Sequence, residues 1–138
     1  MNKYLLDTNV VSELRKRKPH GAVLAWFRDL REEQIFLSAV TIGELQAGVE
    51  LTRTQDTNKA TDIEHWLDQI AESYQILAMD TLCFREWGRL MQGKGDELIE
   101  DGMIAATARV HGLIIATRNE SDFRRLHVEI FNPFKLRS

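Results

Sequence analysis

The chain has 138 residues and a formal net charge of -3, with 43% hydrophobic and 28% charged residues. These values predict a single domain over residues 1–138 and leave no membrane-spanning segment, because no run approaches the roughly 20 apolar residues that cross a bilayer. A mildly acidic chain also disfavours a protein that coats nucleic acid without selectivity. Cys83 has no second cysteine as a partner, and Asp7 interrupts the apolar run near the N-terminus, so we expect a cytoplasmic protein without a disulfide.

Short β-prone runs alternate with longer stretches of helical spacing along the chain. In the stretches at 23–30, 63–74 and 83–91, apolar residues recur at intervals of three and four. Strand followed by helix, repeated, is typical of an α/β domain with a mostly parallel sheet. The β-prone runs predict about five strands: Tyr4–Leu6, Ile35–Leu37, Ile76–Ala78, Leu113–Ala116 and Val128–Phe131.

Acidic residues follow several of these predicted strands. Asp7 comes directly after the first strand, and Glu44 follows the second within SAVTIGELQAGVE. Asp101 lies early in the helix predicted from LIEDGMIAATARVHG, on the face that carries its apolar residues. The segment TRNESDF, after the fourth strand, adds Asn119, Glu120 and Asp122. Because sites in parallel α/β sheets form outside the carboxyl ends of the strands, we expect these side chains to meet there.

Each of these acids also has a purely structural explanation. Asp7 is a good N-cap residue for a helix. Thr41 with Glu44 has the spacing of a capping box, and so has Thr117 with Glu120. Acids near Asp101 could simply favour the positive end of a helix dipole.

A shared site would place like charges close together, which raises the pKa of each carboxyl group unless a cation neutralises it. A divalent ion resolves this conflict, since hard cations such as Mg²⁺ take oxygen ligands. Such ions can also activate water for attack on a phosphodiester. A site for a divalent cation such as Mg²⁺ is therefore one interpretation of these acids, and their structural roles remain the alternative.

Four blocks of the chain resemble, in order, the motifs of PIN-domain ribonucleases. They are LLDTNVVSEL, SAVTIGELQAG, DGMIAATARVHG and ATRNESDF, and the closing VEIFNPF is similar to the FitB-type branch. The resemblance is strongest to the VapC/FitB-like toxins of bacterial type II (VapBC) toxin–antitoxin modules. It implies a three-layer α/β/α sandwich around a mostly parallel sheet of about five strands, and Mg²⁺- or Mn²⁺-dependent cleavage of RNA.

The resemblance also assigns roles to residues. Asp7, Glu44 and Asp101 match the family's first, second and third acids and are the expected metal ligands. The fourth acid departs from the pattern of many relatives, which have Asp where this chain has Asn119; we expect Asp122 to replace it through a water-mediated contact. The expected supporting polar residues are Thr8, Asn9, Thr117 and Asn119.

The expected mechanism is attack of a metal-polarised water on the RNA phosphorus, leaving 5′-phosphate and 3′-hydroxyl ends. The run RKRKPH and a cation in TRNESDF could bind the RNA backbone, although charge runs are more often just solvated loops. These candidates are Arg15, Lys16, Arg17, Lys18 and Arg118. The expected partners are a cognate VapB-like antitoxin, a second copy of the chain in a homodimer or toxin–antitoxin hetero-oligomer, and operator DNA through the antitoxin only.

Other classes of protein remain as alternatives. A receiver-like signalling domain also has acids at strand ends, but it needs adjacent acids after the first strand and a lysine after the last. A phosphatase with an Asp-x-Asp nucleophile needs a second carboxylate where this chain has Asn9. A catalytically silent binding module with the same fold is disfavoured by the presence of all three principal acids.

Overall fold

The computed structural model describes residues 1–135, which form a five-stranded sheet between layers of helices. The strands are β1 (Tyr4–Leu6), β2 (Ile35–Ser38), β3 (Gln75–Leu77), β4 (Ile114–Ala116) and β5 (Ile130–Phe131). The helices are α1 (Thr8–Arg15), α2 (Gly21–Arg28), α3 (Ala39–Arg53), α4 (Thr57–Ser73), α5 (Thr81–Leu90), α6 (Ile99–His111) and α7 (Glu120–Arg124). Short 3₁₀ turns at Glu32–Gln34 and Asp96–Leu98 precede β2 and α6.

The order of the strands is β3-β2-β1-β4-β5, and all four neighbouring pairs are parallel. The α/β class and the parallel sheet are therefore confirmed. The chain moves outward from β1 to β3 and then returns to β4 on the other side of β1. This reversal lies between β1 and β4, and open α/β sheets bind ligands at such a position.

The sheet is apolar on both faces, because successive side chains of a strand point to opposite sides. Leu5 packs with Ile104 and Phe123 in a cluster beneath α5, α6 and α7. Tyr4 and Leu6 pack on the other face, against residues of α1 and α2. The two clusters establish the three α/β/α layers.

Four of the five predicted strands differ from the structure at their ends. Strand β2 extends to Ser38, β3 is Gln75–Leu77 instead of Ile76–Ala78, and β4 and β5 begin later than predicted. The run at Val128–Phe131 pairs with β4 only at Ile130 and Phe131, because the chain turns at His127 with φ 51°. Leu113 lies outside β4, because its N–H donates to the carbonyl of Ala108 and closes α6. Within residues 1–135, no helix combines the length and the apolar character needed to cross a membrane.

Candidate active site

Asp7 lies at the carboxyl end of β1, in the centre of the sheet. The register pairs Leu6 with Ala116, and the N–H of Asp7 donates to the Ala116 carbonyl at 2.9 Å. One carboxylate oxygen, Oδ1, accepts from the Thr8 N–H at 2.8 Å and caps α1. Asp7 therefore caps α1, as one explanation of the sequence predicted. The cap engages only one of the two oxygens of a carboxylate that is almost fully buried.

The second oxygen of Asp7 receives two side-chain donors. The Thr117 hydroxyl donates to Oδ2 at 2.8 Å, and Nδ2 of Asn9 donates to the same atom at 3.0 Å. The Asn9 amide oxygen in turn accepts from the backbone N–H of Arg118 at 3.2 Å. Asn9 therefore joins the loop after β1 to the loop after β4.

Glu44 lies on α3 and reaches the same network through Thr8. The Thr8 hydroxyl donates to Oε1 of Glu44 at 2.8 Å and lies 3.2 Å from the hydroxyl of Thr41. The capping-box explanation of Thr41 and Glu44 is wrong, because Ser38 caps α3 and Thr41 is fully buried inside the helix.

Asp101 lies in the first turn of α6, above the buried face that the sequence predicts for this helix. Residues Ile104, Ala105 and Ala108 of that face are fully buried. The start of α6 is held by the indole of Trp87, whose Nε1–H donates to the Ile99 carbonyl at 3.2 Å. Gly102 permits this close approach of α5, since a Cβ at this position would lie only 2.6 Å from the Met91 sulfur.

Asn119 connects Asp101 to the rest of the network. Its Nδ2 donates to Asp101 Oδ2 at 3.2 Å and to Asp122 Oδ2 at 3.0 Å, and its backbone N–H donates to the Thr117 hydroxyl at 2.9 Å. Because the Thr117 hydroxyl is engaged with Asp7 and Asn119, it does not form a capping box with Glu120. Hydrogen bonds through the neutral residues Thr8, Thr117 and Asn119 thus link all four acids: Asp7, Glu44, Asp101 and Asp122.

The pKa values of Asp101, Glu44 and Asp7 are all raised, mainly by burial, and neighbouring acids add to the shifts of Asp101 and Glu44. Burial, together with the negative charges of Asp7, Asp122, Glu44 and Glu100, raises the pKa of Asp101 to about 7. Burial also raises the pKa of Glu44, and the charges of Asp7 and Glu100 add to the effect. For Asp7 burial raises the pKa, while its hydrogen bonds from Thr117, Thr8 and Asn9 partly oppose the shift.

The donor set suits a hard divalent cation. Within residues 1–135, no Lys or Arg nitrogen lies within 4.0 Å of the carboxylates of Asp7, Glu44 or Asp101. Their negative charge is therefore not compensated by ion pairs, and all the donors are oxygens, as Mg²⁺ and Mn²⁺ prefer. In the same part of the chain, no three His, Cys, Asp or Glu side chains already stand in an arrangement that could hold a metal ion. Thr8 lies between Asp7 and Glu44, and Asn119 lies between Asp101 and Asp122.

Comparison with known proteins agrees with this fold. A profile of the PIN domain matches residues 4–129. The chain belongs to the PIN domain family. The chain is 37% identical to the VapC ribonuclease Y4jK of Sinorhizobium fredii over 138 residues, which cover 95% of this chain and 97% of that protein. It is 34% identical to Toxin FitB of Neisseria gonorrhoeae, over 94% of this chain and 97% of the relative.

A solved structure from the second of these organisms shares the fold of this PIN domain. It is the crystal structure of FitAcB from Neisseria gonorrhoeae, with a TM-score of 0.85 and 35% sequence identity. The match covers 96% of this chain and 99% of the other. The three-layer arrangement predicted from the sequence is thus that of a solved PIN-fold protein.

The basic residues predicted to bind RNA point in different directions in this PIN domain. Arg15 stacks over the Trp66 ring at 5.9 Å from its centroid, and Lys16 pairs with Glu13 at 2.9 Å. Arg17 and Lys18 are exposed between α1 and α2. Arg118 belongs to the segment after β4, and its guanidinium stacks on the Phe134 ring. RNA contact by these five residues remains a prediction.

Two residues near the site have positions that their sequence patterns do not indicate. Glu100 acts on the pKa of both Glu44 and Asp101, although as one of several acids before α6 it looks like an ordinary dipole partner. Glu120 is turned away from the acid cluster, because it forms ion pairs with Arg124 at 3.0 Å and Lys135 at 2.7 Å. Asp101 is half-buried at the edge of the apolar face of α6, whereas Glu100 next to it is exposed.

Proposed function

We propose that this protein is a metal-dependent endoribonuclease, the toxin of a toxin–antitoxin pair. The observation that carries the proposal is the linked cluster of Asp7, Glu44, Asp101 and Asp122 at the carboxyl edge of the sheet, with no ion pair to neutralise the first three within residues 1–135. Uncompensated carboxylates with raised pKa values are expected where a cation binds.

Asp7, Glu44 and Asp101 would hold Mg²⁺ or Mn²⁺, which supplies water activation and neutralises charge in phosphodiester hydrolysis. The chain's own residues prepare these ligands. Thr117 and Asn9 fix the orientation of the Asp7 carboxylate, and Thr8 fixes Glu44. Asn119 holds Asp122 beside Asp101, where Asp122 would act through a bridging water. Prior placement of charged groups by hydrogen bonds lowers the cost of organising them during reaction.

The names of the relatives support the activity and the biological class. One close relative is named as a VapC ribonuclease, and another as the toxin FitB. We extend the ribonuclease activity of the first, and the toxin role of the second, to this chain because each match covers nearly the whole of both proteins. An antitoxin partner follows from the same class of protein and from the family resemblance of the four sequence blocks.

The antitoxin would bind the apolar grooves on the α1–α2–α4 side of the sheet. One groove is lined by Trp26, Tyr4 and Phe131, and the other by Phe27, Trp66 and Tyr74. Large side chains that line such grooves without being fully buried are typical anchors for a protein partner.

The decisive experiment compares the purified full-length protein with Asp7→Asn and with the control Asp68→Asn, which removes the same charge from an exposed position on α4. Incubation with total bacterial RNA and Mg²⁺, followed by sequencing of RNA ends, should reveal new 5′-phosphate ends for the wild type and Asp68→Asn. Asp7→Asn and wild type with EDTA should produce none. Cleavage that persists in both cases would contradict the metal site, and no cleavage by wild type of any cellular RNA would favour a silent binding module.

A further inference from the structure

Arg118 is a basic residue in the segment after β4, and its backbone joins the hydrogen-bond network of the acid cluster. Its backbone N–H donates to Asn9, which also donates to Asp7, so the residue is linked to the site through a single side chain. Its guanidinium carbon lies 3.8 Å from the centroid of the Phe134 ring. At this distance the cation rests on the face of the ring, a contact that fixes the direction of a long, otherwise mobile side chain.

The Phe134 ring is itself held in place by the C-terminal turn. The Phe134 N–H donates to the Asn132 side-chain oxygen at 2.9 Å, and the Asn132 amide donates to Glu120 at 3.0 Å. Lys135 adds an ion pair to the same Glu120 carboxylate at 2.7 Å. Glu120 lies two residues after Arg118 in the chain. The C-terminal turn that carries Phe134 is therefore bound to the same segment as Arg118.

The Phe134 ring also contacts the segment between α1 and α2. The His20 ring meets Phe134 edge-on, with centroids 5.5 Å apart, and the His20 backbone N–H donates to the Glu13 carboxylate at 2.9 Å. Glu13 is buried, and its pKa is lowered by the hydrogen bond from Lys16 and then by His20, with a smaller contribution from the Arg118 charge. Three separate segments of the chain therefore converge on the ring that carries Arg118.

The guanidinium of Arg118 retains its hydrogen-bonding capacity. Within residues 1–135, no carboxylate lies within 4.0 Å of it and its side chain donates no hydrogen bond, whereas Arg124 and Arg125 nearby both pair with acids. Stacking occupies the face of the guanidinium and leaves the N–H groups at its edge free. Those donors form a planar fork that matches two oxygens of a phosphate.

We propose that Arg118, stacked on Phe134, is a binding subsite for one phosphodiester group of the RNA strand beside the acid cluster. Phe134 acts as a positioning residue that keeps the guanidinium directed away from the carboxylates. A polyanion that approaches four acids is repelled, and a fixed cation at the edge of the cluster offsets that repulsion where the strand enters. This subsite rests on the proposed ribonuclease function, since RNA is its ligand.

Binding of a labelled single-stranded RNA to the full chain, measured by fluorescence anisotropy in EDTA over a range of salt concentrations, tests the subsite apart from cleavage. Arg118→Gln should weaken binding about tenfold and should reduce the salt slope by about 0.7, the value for one phosphate on a single strand. Arg28→Gln is the matched control: Arg28 is an exposed arginine without an ion pair in the described residues, and it lies at the opposite edge of the sheet. It should leave both quantities unchanged.

Phe134→Leu tests the positioning role, because it removes the ring and keeps an apolar side chain. It should weaken binding about two- to fivefold, the equivalent of an exposed cation–π contact, while the salt slope stays near that of the wild type. Phe134→Tyr should restore the affinity, a rescue that a general loss of stability does not produce. The midpoint of thermal unfolding of each variant is measured in parallel.

The possible results separate the two proposals. An Arg118→Gln protein with the affinity and salt slope of Arg28→Gln would overturn the subsite, whether or not the wild type cleaves RNA. Equal weakening by Phe134→Leu and Phe134→Tyr would overturn the positioning role of the ring. A wild type that binds RNA through Arg118 but cleaves none would contradict the nuclease function and support the subsite.

Discussion

Replacing Asp101 with Asn should change the stability of the cation-free protein in a way that depends on pH. The pKa of Asp101 is raised from 3.8 to about 7, mainly by burial and then by neighbouring acids. Between these two values the folded protein holds a proton that the unfolded chain has released. The contribution of Asp101 to the free energy of unfolding therefore falls as the pH rises from about 4 to about 7 and is level above that.

The size of the effect follows from the shift. One pKa unit corresponds to about 1.4 kcal/mol, so the two units between pH 5 and pH 7 correspond to at most about 2.7 kcal/mol. Asp101 is only half-buried, and solvent screening reduces this to about 1–2 kcal/mol. Asn cannot ionise but keeps an oxygen that can accept from Asn119. Relative to the wild type, Asp101→Asn should thus gain about 1–2 kcal/mol in stability between pH 5 and pH 8.

Urea unfolding of both proteins at pH 5 and pH 8, in EDTA, measures this difference. Asp68→Asn on α4 is the control for the loss of one negative charge, and its difference from the wild type should be the same at both pH values. A difference for Asp101→Asn that is also independent of pH would refute the reasoning, because the carboxyl group would then not be held protonated by its neighbours.

Two further variants test the neutral side chains of the cluster. Thr117→Val should lower the free energy of unfolding in urea by about 1–3 kcal/mol, because it removes the hydroxyl donor to the buried Asp7. The control Thr61→Val, at an exposed position on α4, should lower it by less than about 0.5 kcal/mol. Equal losses for the two variants would contradict the role of Thr117. Asn119→Asp adds a carboxylate where an amide now donates to Asp101. On addition of Mg²⁺, the midpoint of thermal unfolding of this variant should therefore rise more than that of the wild type. An equal or smaller rise would argue against a cation at this position.

Much of the fold could be predicted because it depends on short-range patterns. The runs of the central strands β1, β2 and β4 are mostly buried, so they are almost wholly apolar, and the helices show an apolar stripe. The limits of the strands were less predictable, since they depend on which partner each backbone N–H finds. Leu113, for example, has an apolar side chain that suits a buried strand. Its N–H, however, donates to the Ala108 carbonyl and closes α6 instead of extending β4.

The acids of the candidate site were predictable for a similar reason, because strand ends of a parallel sheet share one edge. The connections between them were not. The hydrogen bond from Thr117 to Asp7 joins residues 110 positions apart, and it depends on the register of β1 with β4. The two capping-box explanations were wrong because Ser38 caps α3 and the Thr117 hydroxyl binds Asp7. Spacing alone does not show which partner a hydroxyl selects.

The residues that connect the four acids are uncharged, which favours a cation site. Thr8, Asn9, Thr117 and Asn119 are all neutral, and they orient the carboxylates without cancelling their charge. A lysine or arginine in their place would form ion pairs with the acids and would compete with a metal ion for the same oxygens. The nearby cation of Arg118 is instead held on Phe134, away from these oxygens. Arg118 thus leaves the charge of the acids unpaired, and it is held by a ring that lies more than 100 residues from Asp7 in the sequence.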